Sequence, residues 1–226
     1  MAIEAVIYDM DGVLVDSEVY WDQARVDFAA ERGLRWTETM QRQAMGRSTI
    51  GWAKVMREQL ALGMSLEAII AEMKARVIAQ YEQRMPTRPG ALESVAALQA
   101  HYRIGLASGS PTEIIKAVLR ITGLDQQFEV IIYGDEVPRG KPAPDIYLEA
   151  LRQLNIAPER ALGIEDSANG LRSLQAAGMF AVAAPSPGFP LPPDVLALAD
   201  AHIPTLEDFT VDLVREISTS EQVVKH

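Results

Sequence analysis

The sequence predicts an α/β protein: a parallel sheet covered on both faces, interrupted after its first strand by a helical insertion. Three observations carry this. Short runs rich in Val, Ile and Ala alternate with helical patterns through the second half of the chain, as in parallel strands joined by crossover helices. The first run, Val6-Ile7-Tyr8, ends in two carboxylates and a glycine, Asp9-Met10-Asp11-Gly12. Residues 14 to 85 then hold helical periodicity with no strand signal.

Taken in order, Val6, Ile7 and Tyr8 favour a strand and Gly12 breaks it. Ser17 is placed as N-cap of a helix that turns Trp21, Ala24, Phe28 and Ala29 to one side and ends at Gly33. A second helix surrounds Glu38 to Met45. Gly46-Arg47-Ser48-Thr49 reads as a turn, with Ser48 or Thr49 capping a helix through Trp52, Val55, Met56 and Leu60 that stops at Gly63. Ser65 caps a long helix through Ile69, Met73, Val77 and Tyr81, closed by Pro86 and Pro89-Gly90. A helix over residues 91–101 precedes a strand from Ile104 to Ala107 and the turn Ser108-Gly109-Ser110-Pro111. Ser110-Pro111-Thr112-Glu113 has the form of a capping box with Pro at the first helical position, and that helix ends at Gly123. A strand from Glu129 to Tyr133, a loop to Pro144 and a helix to Leu154 follow. The strand Ala161 to Ile164 runs into Glu165-Asp166, where a further helix opens and ends at Gly178. Met179 to Ala183 is a strand, Ser186 to Pro193 a Pro-rich loop and Ala201 to Ile203 an edge strand. A last helix gives way to a frayed tail over Ser220 to His226. The architecture is then an α/β core of residues 1–13 and 86–226 with a helical cap over 14–85. The connections near Val13 to Ser17 and Gln83 to Gly90 serve as its hinge.

A net charge of -10 argues against nucleic acid or an anionic membrane as the main partner. The absence of Cys excludes disulfide and thiol chemistry and fits a cytoplasmic location. The N-terminus has no basic region followed by an apolar stretch, so no signal peptide is expected. No apolar run approaches the about 18 residues of a membrane span.

The chemistry is expected at strand ends, where open α/β sheets place their ligands. Residues i and i+2 leave a strand on the same side, so Asp9 and Asp11 can face one site. Two carboxylates that close repel unless a cation lies between them or one is protonated. Ser108 follows the second strand beside a helix N-terminus, where a hydroxyl and free N–H groups suit a phosphate, or where it only shapes the turn. Lys141 is held between Gly140 and Pro142. Glu165 and Asp166 are hard oxygen donors for Mg²⁺, or caps for the helix that follows.

This ordered set, Asp9/Asp11, Ser108, Lys141 and Glu165/Asp166, resembles the four motifs of the haloacid dehalogenase (HAD) superfamily across essentially the whole chain. Asp-Met-Asp-Gly-Val-Leu-Val-Asp-Ser-Glu and Gly-Lys-Pro-Ala-Pro-Asp-Ile-Tyr are similar to the subgroup that includes β-phosphoglucomutase, phosphoglycolate phosphatase and sugar-phosphate phosphatases. The resemblance implies a HAD-like doubly wound parallel sheet, a Rossmann-like core, with an inserted α-helical bundle cap. It implies Asp9 as nucleophile, Asp11 as general acid and base, and Ser108, Gly109 and Lys141 around the transferring phosphoryl group. It implies Mg²⁺ held by Asp9, the Asp11 main-chain carbonyl, Asp166 and, directly or through water, Glu165. Asp135 is a candidate partner of Lys141, and Asn169 of the metal site. Arg47 is the candidate contact for the body of the substrate, while Trp21 and Trp52 are read as cap core.

Two departures separate phosphatase from mutase. Where β-phosphoglucomutases carry a His on the first cap helix, this chain has Trp21. Where they carry an Arg in the cap turn, it has Ser48 and Thr49, with Arg47 offset. Asp-Ser-Glu-x-x-Trp resembles phosphatases of 2-deoxyglucose 6-phosphate and related hexose or hexitol phosphates. The expected function is a Mg²⁺-dependent phosphatase of a small phosphorylated metabolite, acting as a monomer. The alternatives are a phosphosugar mutase and a non-catalytic binding protein, whose mark would be a missing Asp9 or Lys141.

Overall fold

The structure, a computed structural model, describes residues 2–45, 47–186, 188 and 190–224. Gly46, Lys225 and His226, which the sequence places in a turn and a tail, lie outside them. Six parallel strands form one sheet in the order β3-β2-β1-β4-β5-β6. They are β1 (Ala5–Tyr8), β2 (Arg103–Ser108), β3 (Val130–Tyr133), β4 (Ala161–Glu165), β5 (Phe180–Ala183) and β6 (Ala201–His202). The chain runs outward from β1 to β3, then returns past β1 to lay down β4, so the direction of winding switches between β1 and β4. Tyr8 pairs with Leu106 on one side and Ile164 on the other.

Every residue of β1 is buried, as a strand covered on both faces requires. Its side chains alternate. Val6 and Tyr8 join a core built with α5 (Ala91–Gln99), α6 (Thr112–Thr122) and α10 (Val211–Val224). Ala5 and Ile7 join a core with α7 (Asp145–Leu154) and α8 (Ala168–Ala177).

Between β1 and α5 lie α1 (Glu18–Ala30), α2 (Glu38–Ala44), α3 (Thr49–Gln59) and α4 (Leu66–Gln83). Thr37, Ser48 and Ser65 cap the last three, each accepting a backbone N–H at 3.2–3.3 Å. Ser17 precedes α1 but makes no capping bond, because its own backbone is already helical. α4 packs on α1, α3 and α6. Lys74 reaches Glu113 at 2.7 Å, and Arg120 reaches Glu82 at 2.9 Å, across the α4–α6 contact. The two segments joining the helices to the sheet are hydrogen-bonded to one another. Asp16 N donates to Pro86 O at 2.8 Å, and Arg88 N to Leu14 O at 3.0 Å.

The differences from the sequence reading are local. α10 continues to Val224, through much of the segment read as a tail. A short helix, α9 (Pro193–Leu196), ends the Pro-rich loop, since Pro suits a first helical turn. Ser110 does not cap α6: the helix starts at Thr112, and the Ser110 hydroxyl turns to Asp11. Asp135 caps it instead, its Oδ2 accepting from Thr112 N at 3.1 Å. No helix among the described residues is long and apolar enough to cross a membrane.

Candidate active site

The C-terminal ends of β1, β2 and β4 converge at the winding switch. Asp9 follows β1 directly and is 6% exposed. Lys141, from the loop after β3, reaches across to it. Its Nζ donates to Asp9 Oδ1 at 2.5 Å, Glu165 Oε1 at 2.6 Å and Ala107 O at 3.1 Å, which uses all three ammonium protons. The ammonium also lies 4.9 Å from the centre of the Tyr147 ring. Glu165 closes β4, and its Oε1 is filled by a second bond, from Tyr147 OH at 2.5 Å, while Oε2 accepts one, from Ser167 Oγ at 3.1 Å. A Cβ on Gly170 would lie 1.8 Å from Glu165 Cδ, so only glycine lets this carboxylate rest against α8.

Asp11 is half-buried. Its Oδ2 accepts from Ser110 Oγ at 2.7 Å and Ser108 Oγ at 3.2 Å, while Ser110 N donates to Ser108 Oγ at 3.1 Å. Its Oδ1 is buried without a hydrogen bond. Ser108 is fully buried behind Asp11, whereas Gly109 and Ser110 line the open cleft. Gly12 takes φ +75°, and a Cβ there would meet Asp166 Oδ2 at 1.8 Å. The turn after the strand is therefore folded against Asp166.

Four carboxylates, Asp9, Asp11, Glu165 and Asp166, thus gather around the Lys141 ammonium, which bonds two of them, with buried Arg88 acting on Asp166 from the side of the Gly12 turn. Burial pushes Asp9 up to about 8, with Lys141 opposing and Glu165 and Asp11 adding to the rise. Burial, then Glu165 and Asp9, hold Asp166 well above the usual carboxylate range. Burial alone would lower Lys141, but Asp9 and Glu165 outweigh it and hold the ammonium charged. Oxygens of Asp9, Glu165 and Asp166 lie within 4.8 Å of one another. Among the described residues none donates a hydrogen bond to the Asp166 carboxylate. Hard oxygens at this spacing, short of positive charge, fit a divalent cation.

Above this floor lies a cleft of about 730 Å³, roofed by Glu18, Trp21, Arg25, Arg47 and Trp52. Trp21 and Trp52 are buried and tilted against each other at 5.4 Å, as the core reading expects, yet both also border the cleft. Arg47 is exposed at the rim, its Nε donating to Gln43 O at 2.5 Å. Asn169 also lines the cleft. Asp135 is occupied as the α6 cap rather than as a partner of Lys141.

Sequence reasoning missed Ser110, Tyr147, Arg25 and Arg88. Arg88, 7% exposed, donates to the carbonyls of Gly12 and Ala184 and to Ser186 Oγ, tying the second linker to the turn beside Asp11. Tyr147 was within reach, since it stands in the quoted Gly-Lys-Pro-Ala-Pro-Asp-Ile-Tyr segment.

Known proteins resemble the chain over most of its length. It is 35% identical to a phosphorylated carbohydrates phosphatase of Thermotoga maritima over 180 residues, 78% of this chain and 82% of that one. It is 32% identical to hexitol phosphatase B of Escherichia coli over 215 residues, 92% of this chain and 95% of that one. Its fold matches the crystal structure of CbbY from Rhodobacter sphaeroides in complex with phosphate at a TM-score of 0.83 and 26% identity, covering 94% of this chain and 99% of that one. A family model for haloacid dehalogenase-like hydrolases matches residues 3–178, from β1 to the glycine that ends α8, and the chain belongs to that family.

Proposed function

We propose that this chain is a Mg²⁺-dependent phosphatase that hydrolyses monophosphates of small sugars or sugar alcohols through an aspartyl-phosphate. The observation that supports this best is the Asp9–Lys141–Glu165 chain at the winding switch, with Asp11 pinned alongside by Ser108 and Ser110.

Asp9 attacks phosphorus in line with the departing ester oxygen. Lys141 holds Asp9 in place and stabilises phosphoryl charge, while Gly109 and Ser110 shape the opposite wall, with Ser108 behind them. Asp11 gives its proton to the leaving alkoxide. It then takes a proton from the water that attacks the aspartyl-phosphate, which releases inorganic phosphate and restores Asp9. Asp9, Asp166 and the Asp11 main-chain carbonyl would hold Mg²⁺, with Glu165, whose Oε1 anchors Lys141, beside them directly or through water. When bound, the ion supplies positive charge to the phosphoryl oxygens. Residues 14–85 act as a cap over the site, and Arg47 at its rim meets the body of the substrate.

The test is phosphate release with Mg²⁺ from 2-deoxyglucose 6-phosphate, glucose 6-phosphate, mannitol 1-phosphate, β-glucose 1-phosphate and phosphoglycolate, with Asp9→Asn as control. Release from hexose or hexitol phosphates that Asp9→Asn abolishes is expected. Formation of glucose 6-phosphate from β-glucose 1-phosphate, with a bisphosphate primer and no phosphate release, would overturn the proposal in favour of a mutase.

A further inference from the structure

Arg25 is 3% exposed, yet it borders the cleft. On α1 it lies one turn beyond Trp21 and two beyond Glu18, so all three share a face. Its guanidinium carbon sits 5.5 Å from the Trp21 ring centre and 5.8 Å from that of Trp52. Nη1 donates to Gln41 Oε1 at 3.0 Å. The same oxygen accepts from Trp36 Nε1 at 3.0 Å, so both its lone pairs are taken. Gln41 Nε2 points at Glu18 Oε2, 3.5 Å away. Arg25 Nε is buried with no partner. A buried cation with an unfilled donor is expensive in an apolar helical core, and simple packing would be served as well by Leu or Met.

The charges around it are balanced. Glu18 and Asp22 are the anions that act on Arg25, and Glu18 itself lines the cleft. Arg47 brings a further positive charge, but from the exposed rim with its Nε already committed. The roof therefore offers a carboxylate acceptor and a guanidinium donor joined through Gln41, the guanidinium beside a packed pair of indoles, with no buried surplus of positive charge. Hydroxyl groups, which donate and accept, match that pair, and C–H faces of a carbon chain match the indoles. A second phosphate or a carboxylate would meet Glu18.

Resting on the phosphatase reading, we propose that Glu18, Arg25 and Gln41, set against Trp21 and Trp52, form a subsite for the hydroxyl groups of an uncharged polyol. The enzyme accordingly selects monophosphates of neutral sugars and sugar alcohols over substrates with a second charged group.

The test compares kcat/KM of the full-length chain with Mg²⁺ on mannitol 1-phosphate, fructose 1,6-bisphosphate, 6-phosphogluconate and phenyl phosphate, which has no hydroxyl groups. The wild type should favour mannitol 1-phosphate over both doubly charged sugars by at least about tenfold. Arg25→Met and Glu18→Gln should each lower the ratio of mannitol 1-phosphate to phenyl phosphate turnover efficiency by about tenfold, mainly through KM. Glu18→Gln should also narrow the gap to the bisphosphate, and Arg25→Lys should recover only part of the ratio. Preference of the wild type for the bisphosphate overturns the proposal. So does an unchanged ratio in Glu18→Gln, a near-isosteric change that carries the test even if Arg25→Met does not fold. Failure to hydrolyse phenyl phosphate or any sugar phosphate would instead sink the phosphatase reading beneath it.

Discussion

Replacing Asp9 with Asn should make the metal-free protein more stable, not less. Asn keeps the size of the side chain and an oxygen for the Lys141 ammonium, now 2.5 Å away. It removes one of the four carboxylates crowded around that ammonium. In the folded chain the Asp9 carboxyl titrates at about 8 rather than 3.8. A carboxyl whose folded value is raised favours folding when protonated. That contribution is fully present below the unfolded value and is lost as pH rises through the folded one. Holding this carboxyl protonated costs folding on the order of a few kcal/mol at pH 7 and on the order of 1 kcal/mol at pH 5. For a chain of this length about 1 kcal/mol moves Tm by about 2–4 °C. The assay is thermal unfolding in EDTA. Asp9→Asn should melt on the order of 10 °C above the wild type at pH 8, and the two should converge toward pH 5. Adding Mg²⁺ should narrow the gap at pH 8, because the ion favours the wild-type carboxylates. If Asp9→Asn is the less stable protein in EDTA at both pH values, the account of an overcharged site is wrong.

Tyr147→Phe removes one of the donors to buried Glu165 and should lower stability by about 1.5–3 kcal/mol, read by urea unfolding. Gly12→Ala combines a positive φ with a Cβ inside the Asp166 carboxylate; calorimetric titration should show Mg²⁺ binding weakened about tenfold or more. Arg88→Met strips the donor shared by the Gly12 and Ala184 carbonyls, and should cost about 1–3 kcal/mol in the same urea experiment. Removing the exposed ion pairs between α4 and α6 with Lys74→Ala and Arg120→Ala should change stability by no more than about 1 kcal/mol, since surface pairs contribute little.

What could be read from the sequence divides along sequence separation. β1 was legible because its burial on both faces demands an unbroken apolar run. Ser48 and Ser65 were legible as helix starts because each bonds an N–H three residues on, whereas the cap of α8 falls to Ser167 rather than to Glu165 or Asp166. Ser110 misled because its local pattern fits a cap, while a carboxylate 99 positions away offers a shorter bond. Asp135, 23 positions from Thr112, then takes the vacated cap. Arg25 and Gln41 meet across two helices, and nothing local marks either one. The motif residues Asp9, Lys141, Glu165 and Asp166 come together as the strand-end reading required. Their arrangement, with Glu165 bonding Lys141 directly while a Tyr and a Ser hold Glu165, depends on packing that only the folded chain creates.

The linkers to the helical insert bear on how that insert is held. Because Val15 pairs with Thr87, and Asp16 and Arg88 bond across the gap, the insert is carried on a two-stranded ribbon rather than on two independent tethers. The cross-bonds hold the two linkers in one register. Arg88 clamps the base of that ribbon to the turn that follows Asp9. Trp21, Arg25 and Arg47 are thereby carried to the cleft above Asp9 on one joined support rather than two separate ones.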